Sequence, residues 1–468
     1  MEFKGVIVLF LVQIFLIPNG HSENILFFHP VSTYSHRISV WPLVQRLVAK
    51  GHQITFISPY PNKTPLANVT DLVPEPMSSF VHQYIHDWFM SDCALGLAYK
   101  FKAKTMYYAA SCLTPLYYEL YGIVPDTASI PEFEYHYRSP MSFYERFVTT
   151  IQPLVWTYKM STSHDAITEI IREKLNVPEM PNIRKLAENT SLILLAEYVI
   201  DGYPQPLTPN IISVGGMHCQ AKINPLPKNL AEFIKGSPEG FVYISLGSGV
   251  NVNNLPEKFQ DVFFNSIKQM PHIQFIWKWT GNKRTDLPKN LHIGEWFPQQ
   301  DILGHPKLLA FMTQGGRPSI QESICHGAPV IGLPVFADQD LNTQRLENLG
   351  GAIVLQFDSL TETTFQNAIT EMTSSKKYKT RMTQLSKLYH DRPVKPIDLA
   401  LYWTEYVLRN ENTDHLRSMS RNLTWYQRRL LDVWGTIIVA VIASITVIAY
   451  TIQRVRCFFK GNGKFKKE

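Results

Sequence analysis

Apolar runs of strand length alternate with helical patterns through the second half of this chain. The strand-like runs are 240–246, 273–279, 309–313, 330–333 and 352–356, and helical patterns such as 257–270, 320–326 and 341–349 separate them. Parallel strands need crossover connections that helices usually fill, whereas antiparallel strands can be joined by short turns. The alternation therefore predicts a doubly wound parallel sheet with helices on both faces, followed by three more helices between about 360 and 409.

The first half opens with a β-α-β unit, which also implies a parallel sheet. Residues 24–28 and 53–57 are short apolar runs typical of strands. The helix between them is predicted to open near Pro42, because proline is tolerated in a first turn, and to end at Gly51. His36 is then expected in the loop directly after the first strand.

Length and proline content divide the chain into two α/β halves. A chain of 468 residues is too long for one ordinary core. The proline-rich stretch 204–227 is typical of a linker, so we predict an N-terminal domain over residues 23–215 and a C-terminal domain over residues 216–431. Ligands of open parallel sheets bind beyond the carboxyl ends of the strands, which places a site in the cleft between the halves.

Two hydrophobic segments flank these domains. Residues 6–17 form an apolar run after a lysine and before a proline and small residues, which is typical of a cleaved secretory signal over residues 1–22. Residues 433–452 carry no charge, and about 20 helical residues span a hydrocarbon core of about 30 Å. They predict a transmembrane helix over residues 432–453.

The charge distribution orients this helix. The tail 454–468 holds six basic residues and one acidic residue, and the rest of the chain holds 39 basic and 38 acidic residues. The positive-inside rule puts the tail in the cytosol and the body in the lumen, which suits the N-x-S/T sequons at Asn62, Asn68, Asn189 and Asn422. The terminal K-F-K-K-E resembles the dilysine retrieval signal of endoplasmic-reticulum membrane proteins. We expect a single-pass protein of that membrane, without the basic surface that nucleic acid requires.

The five cysteines are dispersed, and no spacing between them indicates a zinc site. Cys457 lies in the predicted cytosolic tail. The pairing of Cys93, Cys112, Cys219 and Cys325 in the lumen stays open. No metal site is predicted.

The most specific pattern spans residues 296–342. A strand is followed by the turn Gln314-Gly315-Gly316 and then by a helix. The free backbone N–H groups at a helix start, together with the helix dipole, can hold a diphosphate without a metal. Glu322, on the same helix, can accept hydrogen bonds from two ribose hydroxyls.

Further residues suit the rest of a nucleotide sugar. Trp296 can stack on a flat base, and Gln299 can contact the edge of the base or the ribose. Asp338 and Gln339 follow a strand and can bind sugar hydroxyls. Ser248, in a Gly-Ser-Gly turn after the strand 240–246, can donate to a phosphate.

This pattern resembles the signature of the UDP-glycosyltransferase family that includes the glucuronosyltransferases, and its T-Q-G-G version looks most like the insect members. The resemblance implies the GT-B fold, in which two Rossmann-like domains face a cleft, with one membrane span and a short cytosolic tail. It places Ser248 and Gly316 at the phosphates, Trp296 and Gln299 at the uridine, Glu322 at the ribose, and Asp338 and Gln339 at the sugar. UDP-sugar is then a co-substrate, and no cofactor is expected.

Two positions depart from the family pattern. Gln314 stands where vertebrate members have histidine, and its amide can still donate to the diphosphate but not as a cation. Pro318 stands where many members have asparagine or glutamine, so we expect Ser319 or backbone groups to act there. The D-x-D triplet at 338–340 also matches a metal-binding motif of another glycosyltransferase fold, and we interpret it as incidental.

The acceptor hydroxyl must lose its proton as it attacks the sugar, and a histidine suits that role. The stretch S-H-R-I-S-V-W-P-L around His36 resembles the family segment that carries the catalytic base. The resemblance gives Asp87 as the carboxylate that orients this histidine, with Asp92 as the alternative. Only 51 positions separate His36 from Asp87, about half the family spacing, so the N-terminal domain is predicted to be shortened between residues 60 and 87.

The resemblance implies an inverting transfer of a hexose from a UDP-sugar to a hydroxyl of a small lipophilic acceptor, as in detoxification. Insect-like members favour glucose and vertebrate members glucuronate, so the donor sugar stays open. The alternative is a catalytically inactive member that binds UDP-sugar or a lipophile, which the shortened segment would explain. Self-association into a homo-oligomer is also left open.

The predicted topology can be tested with sealed microsomes. Protease added from outside should remove only the tail after Ile452, because the vesicle membrane protects a lumenal body. Blots with one antibody against the tail and one against the body measure both parts, and detergent serves as the control that exposes the body. Digestion of the body in sealed vesicles would contradict the lumenal assignment.

Overall fold

Two open sheets, each covered by helices, form the body of the protein. The computed structural model describes residues 9–10, 13–15, 22–29, 33–62, 64–73, 92–113, 115–133, 135–220, 222–248, 250, 252, 255–279 and 287–462. Asp87 and the shortened stretch before it therefore lie outside the described residues, as does Gly249. Everything that follows concerns the described part of the chain.

The N-terminal sheet contains eight strands. They are β1 (Leu9–Phe10), β2 (Gln13–Phe15), β3 (Asn24–Phe28), β4 (Gln53–Ile57), β5 (Val69–Leu72), β6 (Met106–Ala109), β7 (Leu192–Leu195) and β8 (Ile211–Ser213). Their order is β5-β4-β3-β2-β6-β7-β8, with β1 paired to β6, and only β2 runs antiparallel to its neighbours. The two strands predicted on either side of the first helix are confirmed. β1 and β2 lie within residues 1–22, whose role as a secretory signal stays a prediction.

Helices of the N-terminal half are α1 (Tyr34–Ala49), α2 (Ala94–Phe101), α3 (Pro115–Leu120), α4 (Phe143–Leu175) and α5 (Ile183–Glu188). The prediction that α1 opens near Pro42 is wrong, because the helix begins at Tyr34 after the extended residue Thr33. Pro42 lies inside the helix, where it has no backbone N–H to donate to the carbonyl of Ile38. His36 consequently belongs to the first turn of α1 and not to a loop.

The C-terminal sheet is entirely parallel, as predicted. Its strands are β9 (Phe241–Ser245), β10 (Gln274–Lys278), β11 (Leu291–Gly294), β12 (Leu308–Thr313), β13 (Val330–Gly332) and β14 (Ala352–Val354), in the order β11-β10-β9-β12-β13-β14. Alternate residues of β9 enter different cores, since Val242 and Ile244 pack on one face and Phe241 and Tyr243 on the other. This two-sided burial confirms the doubly wound architecture.

Helices cover both faces of the C-terminal sheet. They are α6 (Lys228–Lys235), α7 (Glu257–Gln269), α8 (Gln299–Leu303), α9 (Arg317–His326), α10 (Gln339–Asn348), α11 (Glu362–Ser374), α12 (Lys376–His390) and α13 (Pro396–Arg409). The last of them leaves its own half, because Ala400, Val407 and Leu408 pack in the N-terminal core. Lys104 of the N-terminal half also donates to the carbonyl of Val407 at 2.9 Å. The chain therefore crosses back to the first domain before it reaches the membrane segment.

The predicted linker 204–227 is only partly irregular. Residues of β8 fall inside it and pair in parallel with β7, so the stretch extends the N-terminal sheet before it enters the second domain. Composition could not reveal this, because β8 has only three residues between prolines. The rest of the linker lies against α9, where Cys219 forms a disulfide with Cys325. The pairing that the sequence left open is thereby decided.

The helix α9 is also bound to the N-terminal domain by its side chains. Arg317 donates to the backbone carbonyl of Asp201 at 2.8 Å and lies 3.3 Å from its carboxylate. Gln321 donates to the carbonyl of Ala196 and to the Asp201 carboxylate, both at 2.8 Å. All these groups are buried, so the contacts are screened little by water. The first half of α9 is therefore fixed to the first domain, and its end is bonded to the linker through Cys325.

The chain ends in α14 (Trp425–Arg428) and α15 (Leu431–Asn462). The stretch Leu431–Phe458 of α15 has a mean hydropathy of 2.2 and is long and apolar enough to cross a membrane. The predicted span lies inside it. Arg428 forms a 3.0 Å ion pair with the buried Glu119 of α3, and Arg429 contacts the same carboxylate. The N-terminal domain is therefore held directly at the start of this helix.

The disulfide between Cys219 and Cys325 should contribute measurably to stability. It closes a loop of 106 residues, and a cross-link of this kind limits the conformations of the unfolded chain. Replacing both cysteines by alanine should lower the free energy of unfolding by about 2–4 kcal/mol. Thermal unfolding in detergent measures this, with Cys457→Ser in the exposed end of α15 as the control. An unchanged melting temperature would show that the bond does not form.

Candidate functional site

A cleft of about 230 Å³ opens where the strand order of the C-terminal sheet reverses, beside the adjacent strands β9 and β12. Parallel sheets bind ligands at such a switch point because the loops after the two strands diverge there. Ser248, Lys278, Trp296 and residues of α8 and α9 line the cleft from the C-terminal side. Tyr34, Ser35 and Ile38, from the first turn of α1, line it from the N-terminal side. The site is thus built between the two domains.

Glu322 lies at the floor of this cleft with only 7% of its surface exposed. Its carboxylate accepts from Gln299 Nε2 at 2.7 Å and from Gln300 Nε2 at 3.3 Å. Burial raises the pKa of Glu322 to about 7, although these two hydrogen bonds lower it in part. His218 lies 3.7 Å away, but burial lowers its pKa to about 4, so the imidazole is neutral. The carboxylate therefore has no cationic partner in this group and keeps acceptor capacity for a ligand.

Gln299 links Glu322 to the start of α9. The same Nε2 group also donates to Ser319 Oγ at 3.1 Å, and Tyr243 Oη donates to its carbonyl at 3.4 Å. Predicted residues of two separate elements, α8 and α9, are thereby brought into one hydrogen-bonded group.

Trp296 forms an aromatic wall of the cleft and is 51% exposed. Tyr34 of α1 meets it edge-on with ring centroids 5.2 Å apart. Lys278 Nζ lies 4.7 Å above the Trp296 ring and donates to the carbonyl of Gly247 at 3.2 Å. Burial lowers the pKa of Lys278 to about 8, which still leaves it mostly protonated at neutral pH. A cation therefore stands between the aromatic wall and the turn that carries Ser248.

The turn Gln314-Gly315-Gly316 leads into α9, with Gly316 as the N-cap. Gly315 has φ +90°, and a Cβ there would meet Thr343 Cγ2 at 2.2 Å, so only glycine fits. Gln314 accepts from Thr313 Oγ1 at 3.0 Å through its carbonyl oxygen, which leaves its NH₂ group as a donor. That NH₂ group lies close to both Gly247 and Gly316. The Gln314 amide therefore lies between the turn that carries Ser248 and the start of α9.

Asp338 and Gln339 stand at the start of α10, both nearly buried. Asp338 accepts from Asn342 Nδ2 at 2.9 Å, and Asn342 also donates to the carbonyl of Gly315. Gln339 accepts from the backbone N–H groups of Val335 and Phe336 through its Oε1 atom, at 2.9 and 3.2 Å. Its NH₂ group remains as a donor. The predicted sugar-binding pair is thus linked to the predicted phosphate turn.

His36 lies in the first turn of α1, next to the cleft residues Tyr34 and Ser35. Burial lowers the pKa of His36, and the negative charge of Asp338 opposes this shift in part. His29, at the end of β3, lies next to it with ring centroids 6.4 Å apart, and burial keeps the pKa of His29 well below its usual value. The imidazole of His36 is therefore neutral at neutral pH, as a proton acceptor must be.

Asp92, the alternative carboxylate partner, is buried in the N-terminal core. It lies 2.9 Å from His164 Nε2 and accepts from Tyr107 Oη at 2.9 Å. The alternative role of Asp92 stays a prediction. Asp87 lies outside the described residues and stays a prediction.

The two aspartates of the D-x-D triplet have different partners. Asp338 bonds with Asn342 of its own helix, whereas Asp340 Oδ1 lies 2.5 Å from His136 Nδ1 of the N-terminal domain. Among the described residues, no group of three or more His, Cys, Asp or Glu side chains is arranged to hold a metal ion. Asp338 is therefore linked through Asn342 to the glycine turn, and Asp340 forms a contact between the two domains.

Sequence reasoning missed several residues of this site. Lys278 ends a strand in the pattern W-K-W, and a charged residue at the carboxyl end of a buried strand was the signal that could have identified it. Gln300 and His218 support Glu322 from behind, and no sequence pattern marks them. Arg317, the first residue of α9, carries no motif because its partners Asp201 and Glu197 are remote in sequence.

A family profile described as UDP-glucoronosyl and UDP-glucosyl transferase matches residues 74–466 of the chain. UDP-glucuronosyltransferase 1A3 of Rattus norvegicus is 31% identical over 405 residues, covering 86% of this chain and 75% of the relative. UDP-glucosyltransferase 2 of Dactylopius coccus is 27% identical over 518 residues, covering 100% of this chain and 99% of the relative. That alignment is longer than the chain itself, so this relative has residues that the chain lacks.

Solved structures of glycosyltransferases have the same fold as this chain. A UDP-glucosyltransferase from Polygonum tinctorium, solved with 3,4-dichloroaniline, matches 84% of this chain with a TM-score of 0.56 and 16% identity. CalG4, the calicheamicin glycosyltransferase, matches 88% of this chain with a TM-score of 0.54 and 14% identity. The predicted GT-B fold and the predicted resemblance are confirmed. The chain belongs to the UDP-glucuronosyl and UDP-glucosyl transferase family, whose activity is UDP-dependent hexosyl transfer.

Proposed function

We propose that this protein transfers a hexose from a UDP-sugar to the hydroxyl of a small lipophilic acceptor, with inversion and with His36 as general base. The observation that carries the proposal is the cleft between the domains, where Trp296 and Glu322 are joined by Tyr34 and Ser35, the two residues directly before His36. A nucleotide sugar that lies along the cleft would then present its anomeric carbon beside a neutral imidazole.

The donor is held in three places under this proposal. Its uracil stacks on Trp296, and its ribose hydroxyls donate to Glu322, which keeps acceptor capacity. The diphosphate lies at the N-terminus of α9, where backbone N–H groups and the Gln314 amide converge. Lys278 supplies a positive charge nearby, and Ser248 and Ser319 line the same cleft with hydroxyl groups. No metal or organic cofactor is part of this proposal, and UDP-sugar is a co-substrate.

The transfer is a single displacement. The acceptor hydroxyl gives its proton to His36 while its oxygen forms a bond to the anomeric carbon, and the bond from that carbon to the phosphate oxygen breaks. UDP leaves with the electron pair, and its charge is stabilised by the helix N-terminus and by Lys278. Asp338 and Gln339 hold the sugar hydroxyls, which orients the anomeric carbon. Attack from the side opposite to UDP inverts the configuration.

The orienting partner of His36 is proposed to be Asp87, on the resemblance alone. Asp338 also favours the protonated imidazole, since its negative charge raises the pKa of His36. The imidazolium that forms during transfer thus has at least one carboxylate to stabilise it.

The location proposed is the endoplasmic-reticulum membrane, with the body in the lumen. Asn68, Asn189 and Asn422 of the four sequons are exposed, as acceptors of glycans must be. The disulfide between Cys219 and Cys325 also suits an oxidising compartment. Arg428 and Arg429, bound to Glu119, hold the acceptor side of the protein at the membrane, from which lipophilic acceptors would arrive.

Replacing Glu322 tests the ribose contact. Glu322→Ala should weaken binding of UDP by about 1–3 kcal/mol, because two hydroxyls lose their acceptor. In the unchanged protein, UDP affinity should fall as the pH drops through about 7, since the protonated carboxyl loses acceptor capacity. Isothermal titration between pH 6 and 8 measures both, with the exposed Glu232→Ala as control. Unchanged affinity in the Glu322 variant would remove this residue from the donor site.

Replacing His36 tests the general base. His36→Ala should lower kcat by about a hundred-fold or more, while UDP affinity stays the same because the other domain holds the donor. The activity of the unchanged protein should fall only below pH 6.5, since the pKa of His36 is lowered and its neutral form persists down to that pH. Release of UDP in the presence of a phenol panel is the readout, and His272→Ala, at an exposed position, is the control.

Two further results decide between the alternatives for this site. Asp87→Asn should lower turnover if Asp87 supports the imidazolium, whereas Asp92→Asn should act mainly on stability because Asp92 bonds to His164. If the unchanged protein binds UDP-sugar normally but transfers sugar to no phenol, the chain is an inactive binder and the catalytic proposal is wrong.

A further inference from the structure

The segment that joins the two domains lies along one face of α9. His218 Nε2 donates to the carbonyl of Pro318 in the first turn of this helix, at 3.3 Å. The backbone N–H of Gly216 donates to Gln321 Oε1 at 3.1 Å, and the disulfide of Cys219 adds a third contact in the last turn. Helix positions three or four residues apart share a face, so the linker follows α9 over its whole length.

Gln300 of α8 connects this linker to the carboxylate of Glu322. Its Nε2 group donates to the carbonyl of His218 at 3.1 Å and to Glu322 Oε1 at 3.3 Å. Its Oε1 atom accepts from the backbone N–H of Gln220 at 2.7 Å and from His326 Nε2 at 3.2 Å. One buried amide thus joins two linker residues to Glu322 and to the end of α9.

The orientation of this amide is set by its backbone partners. A backbone carbonyl can only accept a hydrogen bond and a backbone N–H can only donate one. The NH₂ group of Gln300 must therefore face His218, and its oxygen must face Gln220. Turning the amide over would break both bonds, which is costly for buried groups. The linker thus holds the second N–H of Gln300 toward Glu322.

Each oxygen of the Glu322 carboxylate receives one amide donor. Gln299 donates to Oε2 and Gln300 donates to Oε1. An ionised carboxylate offers about four acceptor positions, so one or more stay open on each oxygen. Two adjacent ribose hydroxyls require two acceptors at a fixed spacing and direction. The two amides therefore set the plane of the carboxylate, and with it the direction of the open positions.

We propose that Gln300 is a positioning residue for donor binding, which transmits the position of the linker between the domains to the ribose acceptor Glu322. The inference rests on the proposed function, in which Glu322 binds the ribose hydroxyls. The linker continues from β8 of the N-terminal sheet, so a change in the relative position of the domains would move His218 and Gln220. The amide of Gln300 would move with them. Affinity for the ribose is thereby coupled to the arrangement of the two domains.

Isothermal titration of the purified full chain with UDP and with 2′,3′-dideoxy-UDP, which lacks both ribose hydroxyls, isolates this contact. The uracil and diphosphate contacts are common to the two nucleotides, so the ratio of their affinities measures the hydroxyl contacts alone. In the unchanged protein UDP should bind about tenfold or more tightly than the dideoxy nucleotide, because the acceptor is charged. Gln300→Met keeps the side-chain length without the amide and should lower this ratio by about threefold or more.

Affinity for the dideoxy nucleotide should stay the same in Gln300→Met, whereas a merely structural role of Gln300 would weaken both nucleotides together. Gln384→Met, at an exposed position of α12, is the matched control and should leave the ratio unchanged. If Gln300→Met binds neither nucleotide, Gln300→Ser carries the test, because water can enter and bond to the freed backbone groups.

The role of the linker has its own variant. Replacing both Cys219 and Cys325 by alanine releases the linker from α9 and should also lower the ratio. Adding Gln300→Met to this variant should lower the ratio less than Gln300→Met does alone, because both changes act through the same contact.

A ratio that the Gln300 variants leave unchanged would overturn the inference while the ribose contact of Glu322 stands. A ratio that the cysteine replacements leave unchanged would also overturn it, because the linker would then not be the source of the effect. Equal affinity of the unchanged protein for the two nucleotides would instead remove Glu322 from the ribose site, and the proposed donor contact would fail with it. Binding is measured without an acceptor, so absence of sugar transfer would count against the proposed function alone.

Discussion

The attachment of α9 to the N-terminal domain is the contact on which the cleft depends. Arg317 and Gln321 of this helix bind the Asp201 segment of the other domain through buried hydrogen bonds. The same helix begins at the glycine turn, carries Glu322 and ends at the disulfide to the linker. Because these features share one rigid element, fixing α9 to the first domain also fixes the proposed phosphate and ribose contacts relative to His36.

Burial shifts the pKa values of three ionisable groups at the site so that each neutral form is favoured. It raises the pKa of Glu322 and lowers the pKa values of Lys278 and His36, because a low dielectric disfavours every charged form. Each of these groups comes closer to neutrality before a donor binds. A diphosphate would favour the protonated lysine, and ribose hydroxyls would favour the ionised carboxylate, so donor binding itself would restore the charges.

The alternation of strands and helices was readable from the sequence because buried parallel strands are continuous apolar runs between amphipathic helices. Those runs predicted β9, β10, β12, β13 and β14 to within one or two residues. Short strands escaped notice, as with β8 inside the proline-rich stretch and β6 in the first half of the chain. The start of α1 was misplaced because Pro42 was taken as a helix-start signal, whereas one missing N–H donor can be tolerated inside a helix of this length.

The sequence by itself determined the fold class and the family, and it singled out Ser248, Trp296, Gln299, Ser319 and Glu322, which line the cleft. It could do so because a glycine turn at a helix start and residues at strand ends have the same local role wherever they occur. The sequence could not supply the partners of side chains whose contacts lie far away along the chain. The bonds of Arg317 to Asp201, of Asp92 to His164 and of Cys219 to Cys325 join positions at least 70 residues apart. Only the tertiary structure brings such positions together, because each of these contacts depends on how distant segments pack and leaves no pattern in the local sequence.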